Sequence, residues 1–513
     1  MAAKKIMKQT RTYYAKLNIT LGYISKLVTI IAEFILRSIF IQYLGEELLG
    51  VNGVFTNVIQ ILSLTELGLN HVVGYSFYKP LANNDESKIS ALIRFYKKIY
   101  NIISLVVLVI GVLLIPFLKF IINTDFPVDN LYVLYMIFLA DTVFSYFFVY
   151  KNTLLTAAQK GYISTKYNMC AELLITTVQI VVIILYKNLV LYLLARVVIN
   201  LAKNYLLSKR AERDYPYIKK ESSDLSEKEI SEMKETIKSG FIYKLSSVLL
   251  NSTDSIIISS VIGTVWVGYL ANYNTITIGL GSFYTIIFSS LTAGVGNLVE
   301  TEGVEQREKI FNIMLMIAAW IAVVFSGCFY ALSDEFVVLW LGEKYALDDF
   351  TVISKTLILF LSCSMQPIFT YREAVGLYRK TKYAMFAAAF INVILSILLG
   401  KWLSLGGVLI ATVISMLLTY YWYEPNILYR ECFHKKANSY FKRRIVDWIG
   451  LIIILYAVKW VGTIWKADTW MEWMIKAVSI FAAVNVVCWI MYGKTNEFYT
   501  LKKQINNKER KNI

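Results

Sequence analysis

The chain has 513 residues, 57% of them apolar and 17% charged, with a mean hydropathy of +0.54 and a formal net charge of +16. A soluble protein of this length has no interior large enough for so much apolar surface, so the composition excludes that class and indicates a polytopic membrane protein. Two histidines and five scattered cysteines give no Cys-x-x-Cys or His-cluster spacing, so neither a metal nor another cofactor is expected.

The N-terminus, MAAKKIMKQTRTYYAKLN, has no short apolar core followed by a small-residue cleavage site, so the first long span is expected to act as the targeting signal. Apolar runs of about 20 residues then place fourteen spans. Six lie near 19–43, 50–75, 100–122, 131–150, 167–186 and 188–207. Six more lie near 240–262, 268–296, 310–331, 351–373, 383–401 and 404–423, and two near 446–465 and 470–492. Between the sixth and seventh, RAERDYPYIKKESSDLSEKEISEMKETIKSG reads as a solvated connector whose part from Leu225 to Lys238 is a charged amphipathic helix. Pro367 is expected to kink the tenth span.

The connecting segments set direction. With both termini cytoplasmic, about 38 of the 52 Lys and Arg fall inside and about 5 outside. The inside segments include KPLANNDESKISALIRFYKK (79–98) and RECFHKKANSYFKRR (430–444), whereas GEEL (45–48) and SDEFVVLWLGEKYALDDF (333–350) lie outside. The basic residues therefore track membrane sidedness, and a nucleic-acid partner is not expected.

LGEELLGVNGVF (44–55) matches IGTVWVGYLANY (262–273), so Gly45 and Gly50 correspond to Gly263 and Gly268 at a spacing of 218 residues. The same register sets Lys26 opposite Lys244 and Glu33 opposite Asn251. Six spans separate the copies, so both cross in the same direction. The expected fold is all-α, with two six-helix lobes related by pseudo-two-fold symmetry, a binding site between them, and two C-terminal helices. The expected divisions are an N-terminal lobe (1–208), a cytoplasmic linker (209–238), a C-terminal lobe (239–430), and a helix pair with a basic tail (431–513).

Charges inside spans cost roughly 3 kcal/mol each at the bilayer centre. Lys26, Glu33 and Arg37 fall within about 40° of one another on the first span, at 100° per residue. Glu66, Asp141, Glu172 and Arg196 follow on spans 2, 4, 5 and 6, and Lys244 and Asp254 on span 7. Such groups must face a wet cavity or each other. Glu33 and Arg37 have i,i+4 spacing for an ion pair, Lys26 can snorkel to the cytoplasmic face, and Asp141 or Glu172 can partner Arg196 or Lys26. Lys355 and Arg372 lie close enough to span ends for interfacial placement. Asn52, Asn57, Gln60, Asn272 and Asn274 serve as interhelical contacts or line the pathway. The stripe from Lys26 to Arg37 is net positive and points to an anionic substrate; the planar fork of Arg suits phosphate.

Five stretches carry a resemblance: LGVNGVFTNVIQILSLTELGL (49–69), YKPLANNDESKI (78–89), NSTDSIIISSVIGTVWVGYLANYNTI (251–276), YREAVGLYRKTKY (371–383) and GGVLIATVISMLLTYYWYEPNILY (406–429). They resemble bacterial oligosaccharide-lipid flippases of Wzx type, within the multidrug/oligosaccharidyl-lipid/polysaccharide exporter superfamily. The resemblance implies a plasma-membrane protein that moves an undecaprenyl-pyrophosphate-linked oligosaccharide, a capsule or cell-wall precursor, to the outer leaflet by alternating access through a cationic central cavity. It implies Lys26, Arg37, Lys244 and Arg196 as anion contacts. Glu33 would orient Arg37 or join Glu66, Asp141, Glu172 and Asp254 as charge partners or ion-coupling groups. A polysaccharide polymerase and chain-length proteins are the implied protein partners. The alternative is an ion-coupled multidrug or metabolite exporter of the same superfamily. Catalysis is not expected: no Gly-rich phosphate loop, nucleophile elbow or paired-carboxylate motif stands out.

Overall fold

A computed structural model describes residues 2–62, 76–77, 80–81, 83–122, 131–158, 160–219 and 225–509. These are helical almost throughout, with no strand among the described residues. Ten helices among them are long and apolar enough to cross a membrane. The chain forms two compact units, Met1–Gly268 and Tyr269–Ile513.

The first unit begins with α1 (Ala2–Leu44), α2 (Glu46–Leu62), α3 (Glu86–Leu114), α4 (Leu131–Ala157), α5 (Gly161–Tyr186) and α6 (Leu189–Asp214). Next come α7 (Glu227–Val261) and the first turn of α8 (Thr264–Thr301). Polar caps start these helices by accepting from backbone N–H groups that have no partner inside the helix. Asp85 accepts from the amide of Lys88 at 2.9 Å, and Asn188 from that of Leu191 at 3.1 Å. Ser226 and Glu229 form a reciprocal capping box at α7. The connector helix expected over Leu225–Lys238 is thus the first part of α7, continuous with the seventh span. Within the unit α1 packs along α5, α5 along α6, α6 along α4, α4 along α3, and α2 along α7.

The repeat is visible where α2 meets α8. Gly45 and Gly263 both have positive φ, +84° and +141°, and each ends a helix. A Cβ on Gly50 would collide with the carbonyl oxygen of Thr264, and one on Gly268 with that of Glu46. The 218-residue shift carries Glu46 onto Thr264 and Gly50 onto Gly268, so the two contacts are images of each other. Only glycine permits so close a crossing at both points.

The second unit holds the rest of α8, α9 (Val304–Leu341), α10 (Asp349–Ser364), α11 (Gln366–Val375), α12 (Tyr378–Leu418) and α13 (Tyr420–Leu428). It closes with α14 (Asn438–Ile464), α15 (Trp470–Tyr492) and α16 (Asn496–Glu509). The most apolar window of α9 is 67% buried, against 22% for that of α15, so α9 is the central post. The tenth span breaks between α10 and α11, with Pro367 in the first turn after the break. α12 is interrupted at Leu403 and Ser404. Asn392 nonetheless donates to Thr412 Oγ1 at 2.8 Å, although 20 residues of straight helix would separate them by about 30 Å. The chain folds back there, as the separate spans at 383–401 and 404–423 require.

Arg372 is buried inside the protein. It is 4% exposed and donates Nη1 to both carboxylate oxygens of Glu424, at 2.9 and 2.6 Å, with its guanidinium over the Phe369 ring. Lys355 donates to Asn274 Oδ1 at 2.5 Å. The C-terminal pair is keyed to α9 by buried and half-buried polar groups: Lys476 to Glu335 at 2.6 Å, Trp320 to Asn485 at 2.9 Å, and Arg444 to the Leu315 carbonyl at 3.5 Å. Its opposite faces, including Ile449, Ile452, Tyr456 and Trp460, are bare and apolar.

Candidate functional site

Within the first unit α1, α2, α5 and α6 surround a cavity of about 270 Å³. From α1 come Thr29, Glu33 and Arg37, spaced by four so that one face presents all three. Asn52 comes from α2, Glu172, Thr176 and Gln179 from α5, and Tyr192 and Arg196 from α6. Arg37 and Glu33 form the i,i+4 ion pair at 3.7 Å, the arginine 14% and the glutamate 42% exposed. Tyr192 is buried, edge-on to Phe40 at 5.3 Å, and Gln179 Nε2 donates to its carbonyl oxygen at 3.1 Å. That bond ties α5 to α6 at the cavity wall.

Five residues singled out by sequence therefore share one cavity: Glu33, Arg37, Asn52, Glu172 and Arg196. Asp141 on α4 lies behind α6, accepting from Asn200 Nδ2 at 3.3 and 3.5 Å and sitting in the field of Arg196. Asn200 in turn accepts from Lys203 Nζ at 3.3 Å. Lys26 is half-buried on the same helix as Glu33, about 10 Å from it along the axis, and is not part of the wall. Asp254 lies on α7, half-buried, between Ser252, which donates to Gln60, and Ser255, which accepts from Asn57. Gln60 and Asn57 are thus interhelical contacts between α2 and α7. Lys244 is on α7, with its side chain outside the described ones, and Glu66 lies outside the described residues altogether.

The wall charges cancel: Arg37 and Arg196 against Glu33 and Glu172. Adding Asp141 and Lys203 keeps the balance. Sequence reasoning missed Gln179, Tyr192, Asn200 and Lys203. The last two were legible, since Arg196, Asn200 and Lys203 follow i, i+4, i+7 spacing and form one polar stripe on α6. Tyr192 and Gln179 look like any span residue until α5 and α6 are brought together.

No protein-family model matches the sequence, and no curated protein matches it. Solved structures do match the fold. A lipid II flippase MurJ in an inward closed conformation aligns over 93% of this chain and 98% of its own, at 14% identity and a TM-score of 0.64. An inward-facing multidrug resistance MATE family transporter of the MOP superfamily aligns over 84% and 95%, at 14% identity and 0.59. A point mutant of the Vibrio cholerae MATE transporter VcmN aligns over 83% and 100%, at 12% identity and 0.58. The chain shares its fold with these solved structures. At these identities the likeness speaks for architecture, and the chain is a polytopic all-α membrane protein.

Proposed function

We propose that the protein is a flippase for an undecaprenyl-pyrophosphate-linked oligosaccharide repeat unit, working by alternating access in a bacterial plasma membrane with both termini cytoplasmic. The observation that carries the reading is the pair Arg37 and Arg196 on the wall of one cavity, beside the amides and hydroxyls of Asn52, Gln179, Thr29 and Thr176. Guanidinium forks suit diphosphate oxygens, and neutral polar groups suit sugar hydroxyls. At about 270 Å³ the cavity is just below the usual range of about 300–1,000 Å³ for ligand sites. It takes a headgroup or a single sugar rather than a whole repeat unit. The extensive alignment with a lipid II flippase supports the same reading.

The balanced wall favours a second reading, an ion-coupled exporter in which Glu33, Glu172 or Asp141 carries the coupling ion. A labelled undecaprenyl-pyrophosphate oligosaccharide in proteoliposomes of the purified protein separates the two. Losing charge-assisted hydrogen bonds of about 1.5–3 kcal/mol makes Arg37→Ala roughly 10- to 100-fold slower, with partial recovery in Arg37→Lys. An unchanged rate in Arg37→Ala removes Arg37 from the pathway. Efflux of cationic dyes that depends on Asp141 or Glu172, without lipid translocation, selects the exporter.

A further inference from the structure

A second concavity, about 530 Å³, runs between α5 and α6. Three of its lining residues are cations, Lys166, Lys203 and Arg210, and no acid is among the described lining residues. The interior cavity differs, because its wall carries two acids, Glu33 and Glu172, along with its two cations. The groove starts at the end of the unit where Lys151 pairs with Glu212 at 2.6 Å and Lys160 with Asp214 at 3.1 Å. That end carries the excess of basic groups which the positive-inside rule assigns to the cytoplasmic face.

The groove has a graded polarity. On α5 it extends from Tyr162 to Leu174 and on α6 from Arg210 back to Ile199, roughly 17 Å along each axis at 1.5 Å per residue. That is about the depth of one leaflet in a hydrocarbon core of roughly 30 Å. Lys166 and Arg210 occupy the outer part, and Leu174, Ala202 and Ile199 line the inner part, with Lys203 half-buried beside Ala202. Tyr162 and Tyr167, which line the groove, both pack on the buried cluster of Leu155, Ile163, Leu207 and Ala211. Arg210 is partly committed to Asp214 at 3.1 Å, and Lys203 to Asn200. Lys166 is exposed and makes no hydrogen bond or ion pair with the described residues.

We infer that this groove is a binding site for an anionic glycerophospholipid of the surrounding leaflet, its phosphate at Lys166 and one acyl chain along the Leu174–Ile199 wall. A free phosphate ion has no use for the apolar end, and a zwitterionic lipid gains less from three cations. Basic pockets between transmembrane helices on the cytoplasmic side bind acidic headgroups by the same physics. The inference is independent of what the protein transports.

The test is native mass spectrometry of the purified full-length protein titrated with phosphatidylglycerol or phosphatidylcholine. Wild type is expected to retain phosphatidylglycerol selectively. Lys166→Gln is expected to weaken that retention about fivefold, the usual worth of one basic residue at a lipid surface. Ala202→Trp, which fills the apolar end, is expected to weaken it without altering charge. Arg213→Gln, exposed on the same helix but outside the groove, is expected to change nothing. Equal retention of the two lipids, or equal losses in Lys166→Gln and Arg213→Gln, overturns the site. Displacement of the lipid by millimolar inorganic phosphate overturns the lipid assignment.

Discussion

Gly50 and Gly268 face each other across one helix crossing, each pressed against a backbone carbonyl of the other's helix, Gly50 against Thr264 and Gly268 against Glu46. Because the obstructing atoms are backbone, they cannot rotate away. Gly50→Ala and Gly268→Ala are each expected to cost about 1–3 kcal/mol, the usual range for overpacking, and to add less than independently when combined. Gly53→Ala, whose Cβ would meet only a Val267 methyl at 3.2 Å, serves as the milder control. Thermal unfolding in detergent reads all four proteins. Equal midpoints for Gly50→Ala and Gly53→Ala contradict the tight crossing.

Glu33→Gln changes the formal charge of the cavity wall from zero to +1. If the substrate is anionic, its apparent KM falls. Glu33 is 42% exposed, so solvent screens its field and the gain is about 1 kcal/mol or less, at most about fivefold. If a cation is exported against an ion gradient, the same change slows coupled transport. A rise in KM for the lipid-linked substrate counts against the flippase reading.

Arg372 and Glu424 form a buried pair in which each is the other's main compensation. Removing one partner leaves an unpaired buried charge, so Arg372→Leu or Glu424→Leu alone should destabilise by about 3–5 kcal/mol. The double replacement is expected to recover most of that loss. Strict additivity in this cycle would show that the pair is not coupled.

Lys88 and Glu229 tie the first turn of α3 to the first turn of α7. The hydrogen bond from Lys88, together with those from Ser226, lowers the Glu229 carboxyl to about 2. A depressed acid stabilises above its unfolded value of about 4.3, and that contribution is lost as pH falls toward 2. Both side chains are more than one-third exposed, which limits the effect to roughly 0–1 kcal/mol and makes it salt-sensitive. Glu229→Gln should therefore flatten the fall in thermal midpoint between about pH 5 and 3 at low salt. An unchanged slope would exclude the pair as its source.

Span positions followed from the sequence because lipid imposes a length of about 20 apolar residues on any helix that crosses it; each of the fourteen spans has a helix over it, except that 63–75 lies outside the described residues. The glycine repeat was legible for a similar reason: close backbone approach admits one residue type. Arg37 and Glu33 were legible because i,i+4 spacing fixes neighbours within one helix. The sequence had no means to say that Arg372 meets Glu424, 52 positions away, or that Glu172 and Arg196 close the same cavity as Arg37. Those pairings join different helices, and only the packing of α1, α5 and α6, or of α11 on α13, decides them. The same packing gives the interior cavity a balanced wall and leaves the outer α5–α6 groove with three cations and no acid among its described lining residues. A stripe read from one helix cannot see charges that its neighbours contribute.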